Sequence, residues 1–255
     1  MSTATLVEQI RRGESDAVAT AIRMRDDAVP TLTSLMGDES PDARLGALSC
    51  FDALGGEAAQ AAALKALTDP DAQVASRAAA LLNNHPPAGK GPELLAAFRR
   101  VRNQEVRPQI AIAAGRLAPD LNPDIDPAPW VALMTPAEPS RDALLAATAR
   151  MGNADSRKEF LERLPAVTES SAEQWIDWAV YMDNPWVLPG LGPLLSRQET
   201  VYTVDPDFEP VDVRICDLAA YAVFAITKPN VDFPTTKRRY EAAQLDRARA
   251  IAGRG

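Results

Sequence analysis

Apolar residues recur along this chain at helical spacing, in stripes that stop at short polar turns and then resume. The clearest case runs from Glu57 to Asn84, EAAQAAALKALTDPDAQVASRAAALLNN. Ala61, Leu64 and Leu67 form one stripe, and Val74, Ala78, Leu81 and Leu82 form a second, each on one face of a helix. TDPD separates them. Pro70 disfavours a continuing helix, and Asp71 can accept bonds from the first free N–H groups of the next one. The predicted unit is helix, turn, helix.

The same unit recurs on both sides. AVPTLTSLMGDESPDARLGALSCFDALGG precedes it, with GDESPD as the turn and Ala43, Ala47, Leu48 and Phe51 as the second stripe. PELLAAFRRVRNQEVRPQIAIAAGRLA follows, with Val106, Ile110, Ala113 and Leu117. Two looser units begin at Pro129 and Arg157, and a last one joins NPWVLPGLGPLLS to VDVRICDLAAYAVFAI. The second helices open at Ala43, Val74, Val106, Ser140, Ala172 and Val213, in steps of 31, 32, 34, 32 and 41 residues. Such a period belongs to two-helix repeats. Four residues further on stand Ala47, Ala78, Ile110, Leu144, Ile176 and Asp217. Five of the six are apolar, as an inward position requires; Asp217 departs, in the unit whose step is longest.

The second helices also carry Asp42 and Arg44, Val74, Val106 and Arg107, and Val213 and Arg214. This pattern resembles the HEAT-like (PBS-lyase-type) helical repeat family, whose second helix opens with Asp, Val and Arg. The resemblance covers roughly Val29 to Thr227, and RICDLAAYAVFAI is similar to the terminal unit of many bacterial members. It implies an all-α fold: an α-solenoid of about six stacked helix pairs, a single domain over 1–255 with an inserted loop at 196–213. It also implies that Arg44, Arg107 and Arg214 tie neighbouring repeats together. The unit at Val74 has Ala75 in the arginine position. Helices over Ala4–Arg12 and Asp16–Arg25, and a charged helix over Arg238–Gly253, are expected as N- and C-terminal caps, because an end unit needs a polar outer face.

Composition agrees with helix-on-helix packing. The apolar share is 46%, yet aromatics are only 5%, and small side chains let helices approach closely. The net charge of −8 disfavours a nucleic-acid partner, which would demand a dense basic face. The clusters Arg99, Arg100, Arg102 and Lys237, Arg238, Arg239 are short and read as solvated helix faces. Cys50 and Cys216 lie far apart in apolar runs and read as buried thiols. MSTATLVEQIRRGES turns charged before any long apolar stretch, so neither a secretory signal nor a membrane span is expected, and the cytoplasm is the expected compartment.

Candidate chemistry is sparse. The segment Ser196–Arg214 is either a binding loop or a spacer between helices; Thr200–Val204 alternates as a short strand would. Asp205, Asp207 and Glu209 could offer oxygens to calcium, but Pro206 and Pro210 and the missing loop glycine argue against a metal site. Arg214 and Asp217, three apart, can pair, either to support the fold or to anchor a ligand near Tyr202. Trp175 and Trp178 share a segment with Ile176 and Val180 and read first as core, second as interface anchors. His85 is the only histidine, which excludes a multi-histidine zinc site, and GKGPE lacks the spacing of a phosphate loop.

The expected function is therefore non-enzymatic: a scaffold or adaptor that binds another protein on its repeat surface, with no cofactor, no catalytic residue and no metal. Trp175, Trp178, Tyr202, Asp205, Asp207, Arg214 and Asp217 are the candidate partner-binding residues. An immunity or inhibitor protein for a bacterial toxin is one version, since acidic charge can cover a basic active site. The alternative is a cofactor-handling enzyme resembling a bilin lyase.

Overall fold

The computed structural model describes residues 2–118, 125–205 and 210–253. They are mostly helical, and no helix among them is long and apolar enough to cross a membrane. The chain divides into two compact units, Met1–Asn153 and Ala154–Gly255.

The first unit contains α1 (Thr3–Arg11), α2 (Asp16–Met24), α3 (Val29–Leu35), α4 (Pro41–Leu54), α5 (Gly56–Ala66), α6 (Ala72–Asn84), α7 (Gly91–Arg100), α8 (Val106–Arg116), α9 (Ala128–Val131) and α10 (Arg141–Arg150). Helix starts follow local chemistry. The Ser40 hydroxyl accepts the Ala43 N–H, and Asp71 Oδ1 accepts those of Gln73 and Val74. Gly55, at φ +66°, ends α4 in a conformation that L side chains rarely adopt. The helices α4, α6, α8 and α10 pack in succession, each on the next, while α5 lies on α6 and α7 on α8. At Gly46 a Cβ would sit 2.8 Å from Ile10 Cγ2, so a residue without one lets α1 come down on α4.

Arginine clamps close two of the seams between successive turns. Arg44 forks onto Asp69 with two bonds of 2.8 Å, while its third nitrogen donates to the carbonyls of Asp38 and Glu39. Arg107 repeats the arrangement with Glu138, at 3.3 and 2.6 Å, and with the carbonyls of Phe98 and Val101. In each clamp the carboxylate also accepts the N–H two residues further on, of Asp71 or of Ser140. One side chain thus joins the end of its own preceding turn to the start of the next second helix.

The second unit contains α11 (Ala154–Arg163), α12 (Glu169–Met182), α13 (Leu188–Leu191), β1 (Thr200–Val204), β2 (Val211–Arg214), α14 (Ile215–Thr227) and α15 (Ala242–Ala252). Helix α14 lies at its centre, against α12, α15 and the 3₁₀ turn Gly192–Ser196. NPWVLPGLGPLLS does not form one helix. Pro185, Pro189 and Pro193 each remove an N–H at four-residue intervals, and the segment splits into 3₁₀, α and 3₁₀ turns. The closing helix is also shorter than expected: it starts at Ala242, because the Tyr240 N–H is taken by Asp217 and Glu241 and Gln244 cap each other.

Opening positions Ala43, Val74, Val106, Ser140, Ala172 and Val213 are all at most 2% exposed. The positions four residues on, Ala47, Ala78, Ile110, Leu144, Ile176 and Asp217, are fully buried. These twelve positions therefore face inward, the acid included. The stripe expected on α5 does not: Ala61 is exposed and Leu64 half-buried, and the helix turns Ala59, Ala63 and Ala66 inward instead, with Leu67 buried just beyond its end.

Candidate functional site

Strands β1 and β2 pair antiparallel, with Tyr202 opposite Val213 and an irregularity between Thr200 and Tyr202. The expected strand is present, and it returns on itself to deliver the chain to α14. Ile215 N–H bonds Glu199 O and Cys216 N–H bonds Arg197 O, which satisfies donors that a helix start leaves open.

Arg214 and Asp217 meet there. Asp217 accepts from the Arg214 backbone N–H (2.9 Å), from its Nε and Nη2 (2.8 Å each), and from the Tyr240 N–H (2.9 Å). Four donors exhaust the ordinary capacity of a carboxylate. Arg214 also donates to Gln198 Oε1 and to Tyr240 O, and the bond to Asp217 raises its pKa. The pair is thereby committed to holding the residues before α15 onto the start of α14. Tyr240 completes the anchor: its hydroxyl donates to Thr236 O, its ring packs with Phe224 and Phe233, and burial pushes its pKa up to about 12.

Tyr202 is half-buried on β1, which packs on α12. Burial, and then the nearby Glu173, push its phenol pKa up. Glu173 and Asp177 of α12 both hold Lys237, at 3.0 and 2.8 Å. Burial opposes the lysine's charge, but the bonds to Asp177 and Glu173 outweigh it and raise the pKa. Trp175 is 7% exposed, stacked on Phe160 with Arg163 over its ring, and so packs in the core. Trp178 is half-buried, edge-on to Trp175. Asp205 is exposed, and Asp207 lies outside the described residues, as does Glu209. No group of three metal-ligating side chains occurs among the described residues.

Sequence reasoning missed Tyr240 and Gln198, and it read Lys237 as part of a solvated helix face; the structure places Lys237 outside any helix, half-buried between Glu173 and Asp177. Tyr240 lies 23 residues beyond Asp217, and no periodicity links them; the single signal was an acid standing where every other unit has an apolar residue.

The first unit offers a different feature. A groove of about 380 Å³ runs along α6, lined by Leu45, Gln73, Ser76, Arg77, Ala80 and Glu105. Its lining on α6 includes the short side chains Ala72, Ser76 and Ala80, and Arg77 is held by Asp52 at 3.0 Å.

No protein-family model matches the chain, and no curated protein matches its sequence.

Proposed function

We propose that this protein is a non-enzymatic binding scaffold of the HEAT-like kind, an α-solenoid of helix pairs that grips another protein on the face of its second helices. The observation that carries the reading is the groove along α6, bordered by Leu45 of α4 and by Glu105 at the start of α8. Stacked repeats present such a face as a continuous surface. The inward register of all six opening positions and the serial packing of α4, α6, α8 and α10 support the repeat reading.

The net charge of −8 favours a basic partner, since opposite charge steers encounter and suppresses wrong pairings. An inhibitor of a basic enzyme, such as a toxin's immunity protein, fits that charge. Cytoplasmic location belongs to the same proposal.

The test is affinity capture of crosslinked partners, from the cell that makes the protein, with two baits. One is the natural chain; the other carries Ser76→Glu and Ala80→Glu, which fill the groove and leave the buried stripe untouched. A partner held by the first and lost by the second is expected. Capture of the same partner by both would overturn the assignment to this face.

A further inference from the structure

We propose that the unclamped seam at Ala75 is a receptor for an acidic side chain of the bound partner, a contact that rests on the scaffold reading above. At the other two seams the chain supplies both halves of an ion pair, Arg44 with Asp69 and Arg107 with Glu138. At this one both halves are missing. Ala75 stands in the arginine position, and the next turn offers Asn103, whose Oδ1 accepts the N–H groups of Glu105 and Val106.

The missing side chain leaves a cleft of about 260 Å³ between the turns Thr68–Ala72 and Arg100–Asn103. That volume has room for an acidic side chain. The charge in it is positive. Asp69 is already neutralised by Arg44. Arg100 and Arg102 line the cleft, are exposed, and have no partner among the described residues. Asn103 Nδ2 adds a third donor. In a chain of net charge −8 these donors form a local exception that a carboxylate would fill.

Position fixes the source of that carboxylate. Ala72 lines both the cleft and the α6 groove, so a polypeptide lying in the groove can place one side chain in the cleft. A basic partner steered by overall charge would then be held in register by one aspartate or glutamate.

The experiment is a titration of the full chain, amide and side-chain signals followed by NMR, with a hexaglutamate peptide and separately with inorganic phosphate. Saturable shifts at Thr68, Ala75 and Asn103 are expected with the peptide. Ala75→Arg, which refills the seam, and Arg100→Ala with Arg102→Ala, which removes its charge, should each weaken binding by about tenfold or more. Equal peptide affinity in either variant, absence of saturable shifts, or tighter binding of phosphate than of the peptide would overturn the proposal. The titration uses no native partner. A flat response therefore leaves the capture experiment standing, and failed capture leaves the titration readable.

Discussion

Asp217 is fully buried, and four donors from two chain segments surround its carboxylate. Removing one member of such a pair leaves the other desolvated and uncompensated, which costs about 3–5 kcal/mol. Asp217→Ala is expected to lower stability by that amount in urea unfolding followed by fluorescence. Arg214→Ala added to it should cost much less than the sum, because the two act as one unit. Tyr240, in the same anchor, makes the fold sensitive to alkali. Its folded pKa, about 12, lies above its ordinary value of 10, so the folded state holds the phenol proton more tightly. That stabilisation is complete below pH 10 and is lost as pH rises towards 12. Tyr240→Phe should flatten the fall in urea midpoint between pH 10 and 12, and an unchanged slope would refute the assignment. The sequence disclosed the acid as an anomaly and paired it with Arg214. It could not disclose the Tyr240 N–H, because a backbone donor brought from 23 residues away leaves no local pattern.

At the scale of elements, the clamps explain why successive turns stay in line. Arg107→Ala should cost about 2 kcal/mol, since it strands Glu138 and two carbonyls in a mostly buried seam. Ala75→Arg with Asn103→Asp rebuilds the missing clamp, and should raise stability by about 1 kcal/mol in the same assay; a loss would show that the seam is shaped for something other than an arginine. Helical stripes were legible because burial of one face imposes a period on the sequence. The arginines were legible too, but their partners Asp69 and Glu138 were not, for they differ in type and in distance from the arginine. Element ends were the least legible. NPWVLPGLGPLLS has the apolar content of a helix, yet its three evenly spaced prolines break it. The segment before α15 looks helical until Asp217 claims its backbone.

Over the whole molecule, each compact unit carries one buried thiol, Cys50 in the first and Cys216 in the second. Burial pushes Cys50 up to about 11 and raises Cys216 as well, with Asp217 adding to the second shift. Neither thiolate forms readily at neutral pH, so disulfide reagents should label neither until its own unit opens. With Cys216→Ala the label reports the first unit, and with Cys50→Ala the second. We expect the two variants to become reactive at different urea concentrations, since each unit has its own core; coincident midpoints would mean that the chain unfolds in one step. The open seam gives the first unit a mechanical character as well. Arginine bolts lie on either side of Ala75 and none lies there; Asn83 to Gln109 O and Gln109 to Ser76 are lighter ties across that seam, so we expect bending strain to gather at that point. A load pulling on its ends would gape the joint between α6 and α8 first, and whatever wedges into it would stiffen the row.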